Sequence, residues 1–278
     1  MDTQLYIDSN DIFTTYGAVL RPGSLARMLS VPPFKASSIN VNNWHEIDGA
    51  EAELVSPVLA GRSVRLELTL HDIAQNDYLL ADISDGAYHT FEFPDIDTIY
   101  TLRLVSYQTY THVNGGGTVA LELAEDNPPS FYASQTYPLA SGFTAEGYVL
   151  DGYDIGAYGV RVLEGTAETF RKPSATRRNL TVDTRSSAGL VYDPETVTFA
   201  SRTAVLRLFA RCQSIGDFKD RLNALMHALL QPGVRSMIAG GWVYECYYNG
   251  ADVTEFAAYD GIWCKMEVKL NITNWATE

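Results

Sequence analysis

Two stretches of the chain nearly repeat each other: residues 11–24 read DIFTTYGAVLRPGS, and residues 154–166 read DIGAYGVRVLEGT. Four pairs of positions match at one and the same spacing: Tyr16 with Tyr158, Gly17 with Gly159, Gly23 with Gly165, and Ser24 with Thr166. A phrase that recurs once, about half a chain length away, indicates a duplicated domain, because solenoids and propellers repeat at much shorter periods.

Further matches flank this phrase in the same order. IDSNDI (7–12) corresponds to LDGYDI (150–155), and AGRSVRLELTL (60–70) corresponds to ASRTAVLRLFA (200–210). These matches pair Asp8 with Asp151, Asp11 with Asp154, and Arg62 with Arg202. Several matches in one order favour an ancient duplication over chance.

Apolar residues alternate with polar ones in both copies of the third match, which is typical of strands with one buried face. We expect the following residues to point inward: Val64, Leu66, Leu68 and Leu70 in the first copy, and Ala204, Leu206, Leu208 and Ala210 in the second. Each half also ends on an alternating strand, with Val119, Leu121 and Leu123 in one half and Cys264, Met266, Val268, Leu270 and Ile272 in the other.

One strong helix is predicted at 214–233, SIGDFKDRLNALMHALLQPG, with Ser214 as its cap and Pro232-Gly233 as its stop. The first half has only a shorter counterpart, NDYLLADISDG at 76–86. NGGG (114–117) and YYNGAD (247–252) are turn signals between later strands.

Pro128, Pro129 and Pro138 mark a linker between the halves. We therefore predict a mainly β protein with one helix per domain (α+β), built from two tandem duplicated β-sandwich or barrel domains. The first domain spans 1–125, the linker 126–146, and the second domain 147–278.

The composition excludes several classes of protein. A net charge of −14 argues against tight binding to nucleic acid, which depends on Lys and Arg. There is no apolar run long enough for a membrane span and no secretion-signal pattern at the start. Cys212, Cys246 and Cys264 read as buried, reduced thiols, with a Cys246–Cys264 disulfide as the alternative.

Catalytic and metal-binding motifs are absent from the sequence. None of the five histidines has a metal-ligand spacing, and no P-loop, GxSxG or GxGxxG occurs. For the recurring Asp residues we expect turn and cap bonds to backbone amides, with calcium binding as the weaker alternative. For Arg62 and Arg202 we expect an equivalent structural salt bridge in each half. We predict no enzyme activity and no cofactor.

The order of elements in the second half resembles the tube domain of tailed-bacteriophage distal tail proteins and baseplate hubs. The resemblance covers LDGYDI, YGVRVLEG, ASRTAVLRLFA, the helix at 214–233, and WVYECYYNG followed by CKMEVKLNI. It reaches the first half only through the internal repeat.

This resemblance implies a structural protein of a phage or prophage tail tip, or of a related injection device, located in the virion tail and assembled in the bacterial cytoplasm. It implies a ring around a DNA channel, with a trimer first and a hexamer second, that contacts the tail tube and baseplate. DNA would pass without specific binding, and no membrane would be involved. The alternative is a non-catalytic surface module that binds glycan or protein through FYASQTY (131–137) and YECYYNG (244–250).

Overall fold

The protein is described by a computed structural model that covers residues 4–112, 115–129, 146–177, 181–183, 185–186, 188–192, 197–258 and 261–277. It is mainly β, with curled antiparallel sheets. Most of the predicted linker, together with FYASQTY at 131–137, lies outside the described residues.

The described part of the first half contains nine strands and three α-helices. The strands are β1 (Tyr6–Ile7), β2 (Asn10–Asp11), β3 (Ala18–Leu20), β4 (Asn40–Asn42), β5 (Glu51–Glu53), β6 (Arg62–Leu70), β7 (His89–Phe93), β8 (Thr98–Thr111) and β9 (Gly117–Glu125). The helices are α1 (Ile12–Tyr16), α2 (Ser24–Leu29) and α3 (Asn76–Ile83).

The second half contains nine strands and two α-helices in the part that the structure describes. The strands are β10 (Tyr148–Leu150), β11 (Tyr153–Asp154), β12 (Arg161–Val162), β13 (Thr181–Asp183), β14 (Leu190–Tyr192), β15 (Arg202–Cys212), β16 (Arg235–Ala239), β17 (Trp242–Ala257) and β18 (Ile262–Thr277). The helices are α4 (Thr166–Arg171) and α5 (Ile215–Leu229), and a 3-10 turn at Ile155–Tyr158 takes the place of α1.

Each half forms one seven-stranded sheet, and the two sheets have the same strand order. The first runs β2-β1-β7-β8-β9-β6-β3, and the second runs β11-β10-β16-β17-β18-β15-β12. Every strand of the second sheet therefore carries a number nine higher than its counterpart in the first. The small two-stranded sheets β4-β5 and β13-β14 follow the same rule. Each of these hairpins forms the arm of its half. Along the chain, β4-β5 lies between β3 and β6, and β13-β14 lies between β12 and β15.

The cores follow the predicted alternation. Val64, Leu66, Leu68 and Leu70 of β6 are buried, as are Ala204, Leu206, Leu208 and Ala210 of β15. The inward residues of β9 and β18 are buried too. β6 pairs with β9 along its whole length, and β15 pairs with β18 in the equivalent place.

The helix prediction is confirmed in α5 and incomplete elsewhere. The hydroxyl of Ser214 caps α5 by accepting from the Asp217 amide at 3.2 Å, and α3 is the shorter counterpart. The expectation of one helix per domain is wrong, because α1, α2 and α4 are additional helices of five, six and six residues. Helices this short span fewer than two turns, so their sequences do not show a recognisable 3.6-residue period of apolar residues. None of the described helices is long and apolar enough to cross a membrane.

Two other expectations are corrected by β17. The predicted turn at 247–252 lies within this continuous strand, where Asn249 and Gly250 form a bulge against β18. Asn114 of the predicted turn after β8 lies outside the described residues, and the His112 amide donates to the Gly116 carbonyl at 2.8 Å. Cys246 pairs with Ile272 and Cys264 with Phe256, so the alternative disulfide is wrong. All three cysteines are free and buried.

Candidate assembly interface

The recurring aspartates make the same backbone contacts in both halves. Asp8 and Asp151 each have a φ of +48°. The amide of Asp8 donates to the Thr90 carbonyl at 2.9 Å, and its carboxylate accepts from the Thr90 amide at 2.8 Å. Asp151 makes both bonds with Ser236 at the same two distances. The expected bond to a nearby amide of the turn is therefore wrong for Asp8 and Asp151, because each carboxylate binds an amide of a neighbouring strand.

A basic side chain lies beside each of these aspartates, and its identity differs between the halves. His89 lies 2.6 Å from the Asp8 carboxylate, whereas Arg235 lies 3.1 Å from that of Asp151. Burial alone would lower the pKa of His89, but its bonds to Asp8 and Asp85 outweigh burial and raise the pKa above its ordinary value. The first half therefore has a histidine at the place where the second half has an arginine.

Asp11 and Asp154 act as helix caps, as predicted. The carboxylate of Asp11 accepts from the Phe13 amide at 2.8 Å, and that of Asp154 accepts from the Gly156 amide at the same distance. Tyr16 and Tyr158 close these turns with buried rings. The hydroxyl of Tyr16 donates to Asp82 at 2.5 Å.

The repeated glycines allow the backbone to bend at equivalent points. Gly17 and Gly159 follow the first turn with φ values of +60° and +72°. Gly23 and Gly165, at +90° and +85°, begin α2 and α4. Such φ values favour glycine, because a Cβ is strained there. The glycine repeat therefore marks the two helices that the periodicity missed.

Arg62 and Arg202 bind the ends of these helices. The Arg62 guanidinium donates to the Met28 carbonyl at 2.8 Å, and that of Arg202 donates to Phe170 at 2.6 Å. Each guanidinium also stacks on a tyrosine ring, Tyr100 in the first half and Tyr244 in the second. The hydroxyls of Tyr100 and Tyr244 donate to the same two carbonyls.

The expected salt bridge forms in only one half. Glu125 lies 2.5 Å from Arg62, but the equivalent register position opposite Arg202 is Ile272. Among the described residues, no carboxylate forms a salt bridge with Arg202. Burial lowers its pKa. The prediction is therefore right for Arg62 and wrong for Arg202.

The repeated residues thus make structural contacts rather than a catalytic site. Within the described residues, no group of three or more His, Cys, Asp or Glu side chains could hold a metal ion. His71 is exposed, and its neighbour Asp72 caps a short 3-10 turn. His227 is buried in α5 and contacts Gln231. The tyrosines of YECYYNG are buried in β17.

A surface that the sequence did not reveal is the contact between the two halves. Val31, just after α2, pairs with Ala251 of β17 through two backbone bonds of 2.7 and 2.9 Å. The hydroxyl of Tyr248 donates to the Val31 carbonyl at 2.8 Å, and the Ser30 hydroxyl accepts from the Val253 amide at 2.9 Å. The first half thereby adds a short strand to the open edge of β17.

The arm of the first half continues this contact. The amide of Gly49 donates to the Phe199 carbonyl at 2.8 Å, and the amide of Ala50 donates to the Thr273 carbonyl at 2.9 Å. Phe199 in turn donates to the Asp48 carboxylate at 2.8 Å. The arm of the first half therefore lies against Phe199, at the point where the arm of the second half returns to β15.

The helix α5 forms the third part of the interface. The Lys219 ammonium binds the carbonyl and the carboxylate of Asp97 in the first half. Lys219, Leu222 and Asn223 also cover a groove whose floor includes Met28, Leu59 and Arg62. The two halves contact each other through different surfaces, so their contact is head to tail.

No protein-family model and no curated protein sequence matches the chain. Among solved structures, the chain is similar to the SPP1 Dit protein, described as a paradigm of the hub adsorption apparatus in phages that infect Gram-positive bacteria. The identity is 9%, the TM-score is 0.35, and the match covers 99% of this chain and 100% of that chain. A second is the Borreliella burgdorferi PlzA protein in complex with c-di-GMP, with 6% identity, a TM-score of 0.19, and coverage of 94% and 89%. Both TM-scores are low, so the proposal for a function rests on the contacts within this chain.

Proposed function

We propose that this protein is a structural component of a phage or prophage tail tip, a distal tail or hub protein that forms a ring around a DNA channel and joins the tail tube to the baseplate. The observation that carries the proposal is the head-to-tail contact between two sheets of the same strand order. A head-to-tail contact repeated between chains closes into a ring when the rotation returns to its start, and forms a filament when it does not.

The two halves are tandem copies of one domain, 1–125 and 147–278, produced by duplication. This is supported by the common strand order and by the equivalent backbone bonds of Asp8 and Asp151. Three chains of two domains give six similar units, so a trimer would match a sixfold tail tube. A hexamer is the second arrangement.

The net charge of −14 suits a channel for DNA. An acidic wall repels phosphates, so DNA passes without specific binding. The proposed role needs no enzyme activity, no cofactor and no membrane. It locates the protein in the virion tail after assembly in the bacterial cytoplasm, with tail tube and baseplate proteins as neighbours.

The experiment that tests this role is electron microscopy of particles from the strain that carries the gene, labelled with gold-tagged antibodies against the purified protein. We expect gold at the end of the tail distal to the head. Gold on the cell surface and none on tails would contradict the proposal and would favour the surface-module alternative.

A further inference from the structure

We propose that the open edge of β8 is a docking site for a second copy of this chain, which adds residues 171–174 to that edge. This repeats between chains the contact that Val31 makes with Ala251 within one chain. The inference rests on the ring arrangement proposed above, and it identifies the surfaces that meet.

The strand register identifies the docking position on β8. In the second half, Leu206 of β15 pairs with Val268, which pairs with Ala251. In the first half, Leu66 of β6 pairs with Leu121, which pairs with Tyr107. Tyr107 is therefore the counterpart of Ala251.

The edge of β8 around Tyr107 is open in the described part of the chain. β7 pairs with β8 only as far as Leu102, and the strand continues to Thr111 with β9 on its other side alone. Tyr107 is 50% exposed, whereas Ala251, which Val31 covers, is 3% exposed. Val105 and Tyr110 are exposed on the same stretch. An exposed strand edge with apolar side chains is a template for pairing.

The docking segment follows from the helix repeat. Gly23 begins α2 as Gly165 begins α4, so Pro173 is the counterpart of Val31 and Lys172 that of Ser30. The two arm bases confirm this register, because Phe34 pairs with Leu59 and Thr176 with Phe199. The second half therefore has the same element that docks in the first half, but the described part of the chain has no third seven-stranded sheet whose edge could receive it.

The groove beside this segment is also open. In the first half the equivalent groove is covered by α5 and has a volume of about 130 Å³. In the second half it has a volume of about 310 Å³ and is lined by Phe170, Arg202, Trp242 and Trp275, among others. Trp242 is 40% exposed there. A second copy would cover this groove.

The charged residues differ between the contact within the chain and the proposed contact between chains, on both partner surfaces. Within the chain, neutral Ser30 docks near Lys269, and both line one cavity. The position equivalent to Lys269 on β9 is Glu122, because Lys269 pairs with Val205 and Glu122 pairs with Arg65. The docking residue there becomes Lys172, so the contact between chains would bring Lys172 to Glu122, a carboxylate that Arg65 also binds at 3.0 Å. Pro173 has no amide hydrogen, so its carbonyl alone can accept a backbone bond, from Tyr107.

Cysteine cross-linking tests the contact, because the native thiols are protected. Burial raises the pKa of Cys246 and Cys264 to about 12 and that of Cys212 to about 11. Opposite residues in such a pair have Cα atoms about 5.5 Å apart, which suits a disulfide. The full-length variants Tyr107→Cys and Pro173→Cys would be purified separately, oxidised alone and as a mixture, and run on non-reducing gels.

We expect a cross-linked dimer in the mixture and monomers from each variant alone, because the contact joins different surfaces. The double variant Val31→Cys/Ala251→Cys is the positive control and should form an internal disulfide. Tyr153→Cys, at an exposed site whose counterpart Asn10 lies outside the contact between the halves, replaces Pro173→Cys as the negative control. No dimer in the mixture, or equal dimer from Tyr107→Cys alone, would overturn the inference.

These results separate the contact from the tail role. A cross-link in a protein that gold labelling does not find on tails would leave the contact standing and overturn the proposed function. Gold at the tail tip without the cross-link would leave the function standing and overturn the contact.

Discussion

The two halves of the molecule share their contacts to the backbone and differ in the side chains at several equivalent positions. Arg62 and Arg202 bind equivalent carbonyls, and Asp8 and Asp151 bind equivalent amides. By contrast, Glu125 is replaced by Ile272 and exposed Tyr107 by buried Ala251. The difference teaches that the shared backbone contacts define the fold of each half. The side chains that differ, such as Tyr107 and Ala251, define which surface each half contacts.

The largest difference between the halves is the buried ion pair of the first. Glu125→Ala leaves the Arg62 guanidinium without its carboxylate, so we expect a loss of about 3–5 kcal/mol in the free energy of unfolding. Urea titration would measure it. Glu125→Ile, which places the second half's residue in the first, should lose less because the side chain fills the space. Glu122→Ala, at a more exposed pair with Arg65, should cost under about 1 kcal/mol. An equal loss from Glu125→Ala and Glu122→Ala would contradict this account.

Equivalent core truncations should cost equal amounts if the halves are equivalent. Leu66 and Leu206 are both fully buried at matching places in β6 and β15. We expect each change to alanine to cost about 2–5 kcal/mol, with the two values within about 1 kcal/mol of each other. Thermal or urea unfolding of the single variants provides the measurement. A tolerated change at one site beside a severe loss at the other would show that the strands are not equivalent.

Replacing the equivalent glycines with alanine should destabilise the protein more at Gly159 than at Gly17. A Cβ on Gly17 would meet only the Cβ of His71 at 3.7 Å, whereas a Cβ on Gly159 would meet Cδ of Arg221 at 2.8 Å. Gly17→Ala should therefore cost about 1 kcal/mol through the positive φ alone. Gly159→Ala should cost roughly 1–2 kcal/mol more because of the clash. Unfolding curves that rank the two variants in the opposite order would refute this reasoning.

The smallest effect should be a pH dependence confined to the first half. The pKa of His89 is raised in the folded protein, so its stabilising contribution is complete below the ordinary value of about 6.5 and is lost as the pH rises through the folded pKa. His89→Arg, which copies the Arg235 of the second half, should remove this dependence. Stability from urea titrations between about pH 6 and about pH 8 should fall by under about 1 kcal/mol in the parent protein and stay level in the variant. The same slope in both proteins would exclude His89 as its source.

The sequence predicts those parts of the fold that depend on local pattern. Alternation in β6 and β15, the Ser214 cap and the Asp11 and Asp154 turns follow from neighbouring residues alone. The bulge at Asn249 and Gly250 imitates a turn signal because the same residues suit both structures.

The contact between the halves could not be predicted in the same way. Val31 and Ala251 are far apart in sequence, and their pairing depends on where β16 leaves β17 unpaired. Nothing near Val31 distinguishes an edge-docking residue from an ordinary loop residue. The signal in the sequence that bears on this contact is the repeat. It matches the elements of the two halves and so shows which element of one half has no partner in the other.

A cryo-electron microscopy structure of the purified protein at high concentration would show the proposed ring directly. We predict a closed ring in which residues 171–174 of each chain lie on β8 of the next, in the geometry that Val31 and Ala251 have within a chain. We also predict that Arg62 superposes on Arg202 and Leu66 on Leu206. A monomer, or a twofold dimer joined through identical surfaces, would contradict the proposed ring.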